Sequence, residues 1–117
     1  MTKKQISIIG MPTDLGQGRR GVDMGPSAMR YASLQEVLQS LDHEVEDLGD
    51  IAVPSPESIE MGDPKLKYLT AIKEVNEELA NRVSGVIARN RFPLVLGGDH
   101  SMSIGTIAGV SQHYKKF

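Results

Sequence analysis

Pro93-Leu94-Val95-Leu96-Gly97-Gly98-Asp99-His100-Ser101 decides how the rest of the chain is taken. Leu94 to Leu96 are continuously apolar, the pattern of a strand covered on both faces. Two glycines follow, and then Ile104, Ile107, Ala108 and Tyr114 fall at spacings that suit one side of a helix. Strand, glycine turn and helix make one β-then-α unit, and two more precede it. Ile6 to Ile9 form a short apolar strand ending at Gly10. A glycine-rich loop runs from Gly10 to Gly25, and Pro26 sits where a helix accepts its first residue. Ala28, Tyr31, Leu34, Leu38 and Leu41 then predict one amphipathic helix of about four turns. The next unit opens near Val45. Val45, Glu46, Asp47 and Leu48 do not alternate cleanly, which predicts a strand near a sheet edge, ended by Gly49 and Asp50. Residues 52–63, with Pro54, Pro56 and Gly62, read as a loop. Asp63 and Pro64 suit an N-cap and a first turn. Leu66, Leu69, Ile72, Val75, Leu79, Val83 and Val86 then predict a helix over 64–90. Three such units imply an α/β fold with a mainly parallel sheet and right-handed crossovers. The chain stops at Phe117 after a helix, where another strand is expected, so the sequence reads as interrupted.

Composition narrows the function classes. A chain of 117 residues with 39% hydrophobic residues can build a real core, which excludes collagen, low-complexity disorder and coiled coil. A net charge of −2, with 13 basic and 15 acidic residues well mixed, argues against a general nucleic-acid or membrane-surface protein. Two Phe, three Tyr and no Trp leave little for stacking on bases. The absence of cysteine excludes disulfides, thiolate metal sites and cysteine nucleophiles, and it suits a cytoplasmic location. The apolar run in MTKKQISIIG is too short for a signal peptide or a membrane span.

Two loops compete as functional sites. Gly16-Gln17-Gly18-Arg19-Arg20-Gly21 matches G-x-G-x-x-G, with acidic Asp47 downstream. A dinucleotide loop begins directly at a strand end and opens a helix. Here the first glycine comes seven residues after Ile9, and the helix starts only near Pro26. A loop needing glycine conformations, with Arg19 and Arg20 solvated or ion-paired, fits better. The stronger candidate is Gly97-Gly98-Asp99-His100-Ser101, at the carboxyl end of a strand, where open parallel sheets bind ligands. The glycines let the backbone turn and approach a ligand closely. His100 can bind a metal or transfer a proton. Asp99 can orient it or ligate, and Ser101 can cap the following helix. His43 belongs to the opposite end of the sheet, and His113 to a helix surface. Asp14, Asp23 and Asp50 are candidates that nothing spaces as a ligand set. No G-x-S-x-G elbow is present.

Longer stretches carry a family resemblance. Ile8-Ile9-Gly10-Met11-Pro12-Thr13-Asp14-Leu15-Gly16, followed by Arg19-Arg20-Gly21-Val22-Asp23-Met24-Gly25-Pro26-Ser27-Ala28-Met29-Arg30, closely resembles the amino-terminal region of bacterial arginases. Glu46 to Asp50 fits the segment that follows there. Leu94 to Ser101 is similar to the first metal-binding signature of the wider ureohydrolase family, which includes agmatinases. The resemblance implies a three-layer αβα arginase-like fold, with residues 1–117 as the amino-terminal part of a single domain. It implies two manganese ions at the carboxyl edge of the sheet, and a bridging hydroxide that attacks the guanidinium carbon of L-arginine to give L-ornithine and urea. Metals that lower the pKa of bound water supply such a nucleophile near neutral pH. By motif match, His100 would be one manganese ligand, with Gly97, Gly98, Asp99 and Ser101 shaping its loop. It also implies a homo-oligomer, a trimer or hexamer, for the complete protein.

The later signatures D-A-H-x-D and D-x-D-x-x-D-P do not occur here, and they supply the other ligands in that family. The chain alone is therefore expected to be inactive, with no catalytic residue of its own and no substrate-binding residue that can be named. The competing expectations are a truncated, non-catalytic interaction module, another ureohydrolase such as an agmatinase, and a nucleotide-binding module built on Gly16 to Gly21.

Overall fold

The computed structural model describes residues 3–17 and 20–114. Three strands, β1 (Gln5–Met11), β2 (Glu44–Asp50) and β3 (Phe92–Gly97), form one parallel sheet in the order β2-β1-β3. Short helices α1 (Gly25–Tyr31) and α2 (Leu34–Ser40) connect β1 to β2. The long helix α3 (Leu69–Ala88) connects β2 to β3, and α4 (Met102–Ser111) follows β3. The first crossover leads from β1 to β2 at one edge, and the second passes from β2 across β1 to β3 on its other side. Side chains alternate across a strand, and β1 shows both faces covered. Ile9 and Met11 pack in the core with Val75, Leu79, Val83 and Val86 of α3. Gly10 faces the other way, where an added Cβ would fall 3.1 Å from the Arg30 guanidinium of α1. This is the α/β parallel sheet expected from the alternating units, in the three-layer αβα form that the resemblance implies.

The central position of β1 follows from its composition. Residues from Ile6 to Met11 are all buried. β2 lies at an edge, as its uneven pattern predicts, and pairs from Gln5↔Glu44 to Ile8↔Asp47 before a register shift near Gly10.

Three helix expectations need correction. The single helix expected from Pro26 to Leu41 is two helices, because Ser33 takes a left-handed conformation (φ 65°) between them. An apolar spacing count is blind to one such residue. Tyr31, counted in that stripe, is 91% exposed. The helix expected over 64–90 begins only at Leu69. Asp63 caps a local turn instead, its side chain accepting the Lys65 N–H at 2.9 Å and its carbonyl the Leu66 N–H at 2.9 Å.

The face expected of the last helix is also reversed. Ile104, Ile107 and Tyr114 are exposed, and the buried side of α4 is Gly105 and Gly109. A Cβ on Gly105 would lie 2.6 Å from the Asn76 carbonyl, and one on Gly109 would lie 2.7 Å from that of Ala80. The two helices approach so closely that glycine is the contact residue. A hydrophobicity pattern cannot show that.

Candidate functional site

The carboxyl ends of β1 and β3 meet in two loops that are locked together. Gly98 donates its N–H to the Met11 carbonyl at 3.4 Å, and Asp99 donates its N–H to the Thr13 carbonyl at 2.8 Å. A Cβ on Gly98 would sit 1.9 Å from the Thr13 carbonyl oxygen, so this crossing requires glycine. At Gly97 the obstacle is the Met102 side chain, whose sulfur would lie 1.8 Å from an added Cβ.

Asp99 is 8% exposed, and each of its carboxylate oxygens accepts a hydrogen bond. Oδ2 accepts the Gly16 N–H at 2.8 Å, and Oδ1 accepts the Ser101 N–H at 2.8 Å. The second bond is an Asx-type turn that starts α4. Of the two roles open to Asp99 from sequence, orienting the turn is the one its contacts serve. Ser101 stands at the start of α4 but does not cap it with its side chain. Its hydroxyl oxygen is buried without a partner among the described residues. His100, between these two residues, is exposed, and its carbonyl accepts the Ser103 N–H at 3.0 Å.

The other candidate acids are committed to arginines. Asp14 is 3% exposed, pairs with the Arg20 guanidinium and accepts the Gly21 N–H at 3.3 Å. Arg20 also meets Asp23 at 3.5 Å and Glu57 at 2.7 Å, so one cation ties the β1–α1 loop to the loop after β2. The Arg20 hydrogen bond holds the Glu57 carboxyl below its ordinary value. Asp50 pairs with Arg30 at 2.5 Å. Arg30 also grips Asp47 through two bonds of 2.8 and 2.9 Å, and this holds the Asp47 carboxyl below the usual range. Asp47 is thus a clamp for α1 rather than a ribose acceptor. In the G-x-G-x-x-G stretch, Gly18 and Arg19 lie outside the described residues, and no helix opens until Gly25 beyond the short turn Val22–Met24.

The remaining histidines are occupied elsewhere. His43 Nδ1 accepts the Lys4 N–H at 3.0 Å at the amino end of the sheet. His113 shares a hydrogen bond with Ser84 at 2.9 Å. A crevice of about 820 Å³ also opens at the amino end, beside Lys4, Glu44, Arg91 and Phe92, and does not include His100. Among the described residues no group of three His, Asp or Glu side chains is gathered to hold a metal ion. His100 suits one position of an imidazole and carboxylate site, and the described donors do not complete one. No helix among the described residues is long and apolar enough to cross a membrane.

Sequence reasoning missed the partner of Asp99. Gly16 belonged to the rejected nucleotide motif, and nothing local in Pro12 to Gly16 announces a bond to a residue 83 positions later.

Comparison with known proteins bears on the whole chain. Residues 4–117 match the arginase family. An arginase of Bacillus caldovelox is 60% identical over 114 residues, which cover 97% of this chain and 38% of that protein. The native structure of that arginase at pH 5.6 superposes with a TM-score of 0.90 over the same shares. The structure of Entamoeba histolytica arginase in complex with L-ornithine, at 28% identity, gives a TM-score of 0.82 over 97% of this chain and 38% of that one. The chain therefore spans 38% of the length of the curated relative it matches. The family match over residues 4–117, with 60% identity and a shared fold across 97% of the chain, places the chain in the arginase family.

Proposed function

We propose that this chain is the amino-terminal part of a single arginase-like domain. The complete domain hydrolyses L-arginine to L-ornithine and urea with a pair of manganese ions. The observation that carries this reading is the position of His100. An exposed imidazole stands on a rigid glycine turn at the carboxyl edge of a parallel sheet, in a chain 60% identical to an arginase. The L-ornithine bound to the Entamoeba histolytica relative supports the choice of substrate. In this reading His100 is one metal ligand, and Gly97, Gly98, Asp99 and Ser101 hold its turn. One imidazole does not bind a pair of manganese ions, so the other ligands come from residues outside these 117. No chemical step is assigned to the chain by itself. The working protein is a cytoplasmic trimer or hexamer.

A second reading is a non-catalytic interaction module, favoured by the lack of any metal-holding group among the described residues. Purification of the natural gene product separates the two. An intact mass well above 12.7 kDa, with arginine-dependent urea release that His100→Ala abolishes, is the expected result. The 117-residue chain assayed with L-arginine and Mn2+ is expected to release no urea. A natural product of 12.7 kDa without activity would hand the case to the interaction module.

A further inference from the structure

We propose that Asp99 is a positioning residue that locks the β1–α1 loop to the turn carrying His100, so that the place of the imidazole is set from Gly16, 83 residues before Asp99. The reading of His100 as a metal ligand gives this lock its purpose, but the lock itself stands on the contacts around Asp99.

His100 is flanked by two tied residues. On one side the Asp99 N–H is bonded to the Thr13 carbonyl, and Thr13 is fully buried. On the other side the Ser101 N–H is bonded to Asp99 Oδ1. The second carboxylate oxygen, Oδ2, reaches the Gly16 N–H. The carboxylate therefore bridges two loops, and a movement of either is felt by the other. Bonds to an ionised acceptor are roughly twice as strong as neutral ones. The packing leaves no slack. A Cβ on Gly16 would fall 2.8 Å from Asp99 Oδ1 and 3.0 Å from the Ser101 Cβ. The same loop is tied on its far side, where Arg20 joins Asp14 to Glu57. The His100 turn thus takes its position from the β1–α1 loop, and that loop is anchored to the segment after β2.

NMR of the 117-residue chain without metal tests this. In the unaltered chain, scalar couplings across the hydrogen bonds should connect the Gly16 and Ser101 amide nitrogens to the Asp99 carboxylate carbon. Their absence would overturn the proposal even if no variant folded. Asp99→Asn retains one side-chain oxygen. At least one of the two amides should then exchange with solvent about tenfold faster or more, the size of one charge-assisted hydrogen bond. Gly16→Ala presses on the same carboxylate from the other loop. Both variants should shift the ring resonances of His100 and leave His43 and His113 in place. Their combined effect at His100 should be less than additive, as for two changes acting through one contact. Gly16→Ala that leaves His100 unmoved, or that shifts all three histidines alike, would sink the proposal. The second result would mark general loosening. A separate titration with Mn2+ alone addresses the ligand reading. Selective broadening of the His100 ring supports it. Equal broadening of the three histidines counts against it and leaves the couplings as the judge of the lock.

Discussion

At the residue scale, the charged side chains divide by what holds them, and Asp47 and Glu46 are two of the depressed carboxylates that shape how the fold answers acid. Asp47 is held below its ordinary 3.8, first by its hydrogen bonds from Arg30. Glu46 is held below its ordinary 4.5, first by the Ser7 hydroxyl and then by Arg89. Both are depressed carboxylates. Their stabilisation is complete above the unfolded values and is lost as pH falls through the lower, folded ones. The loss therefore begins below about pH 4.5 and continues below 3.8. Arg30→Ala removes the clamp on Asp47 and Asp50. At pH 7 it should cost about 1–2 kcal/mol, because the pair is partly solvated. The deficit should shrink as pH drops below 3.8, where the parent loses the same interaction by protonation. Urea denaturation of both chains at pH 7 and pH 3 measures it. An equal deficit at both values would show that the Arg30 contacts work by packing alone.

At the element scale, the α3–α4 contact combines close glycine packing with one buried amide. Asn76 is 4% exposed. Its Oδ1 accepts the Gly105 N–H at 2.8 Å, and its Nδ2 donates to the Ile72 carbonyl at 2.9 Å. Asn76→Ala leaves the Gly105 N–H buried and unpaired, at a cost of about 1–3 kcal/mol. Thermal unfolding should fall by roughly 5–15 °C. Asn81→Ala, on an exposed position of the same helix, should stay within about 0.5 kcal/mol. A matching loss in both variants would mean that helix propensity, not the amide bridge, is being measured. The same contact shows what was legible in the sequence. The Val75, Leu79, Val83, Val86 stripe announced α3 and its buried face, because burial of branched residues at helical spacing is a local pattern. Gly105 and Gly109 announced nothing, because their meaning lies in the backbone of α3. The strand ends and the His100 turn were legible for the same local reason. The break at Ser33 and the bond from Asp99 to Gly16 were not, since one is a single backbone angle and the other a tertiary contact.

At the scale of the whole molecule, the surface is larger than the mass requires. The chain exposes 7389 Å². A monomeric protein of 12.7 kDa exposes about 6,200 Å². Its extents of 47 × 35 × 19 Å describe a slab, and its Cα radius of gyration is 15.0 Å, where about 13.4 Å is usual for this length. Part of the exposed apolar surface lies on α4. Ile104 is 61% exposed and Ile107 52%, both on α4, and β3 lies at an edge of the described sheet. Exposed apolar residues on a helix and an unpaired strand edge each promote association. In isolation the 117-residue chain should therefore associate with itself, and its weight-average mass in sedimentation should rise with concentration. Replacing Ile104 and Ile107 together by Lys should weaken that association by about tenfold or more, since each buried isoleucine contributes about 1.5–3 kcal/mol. Both positions are solvent-facing in the single chain, so the double variant should keep the parent's thermal stability. A chain that stays monomeric at all concentrations would show that the exposed face is tolerated by water. Association that persists in the double variant would move the contact from α4 to the β3 edge.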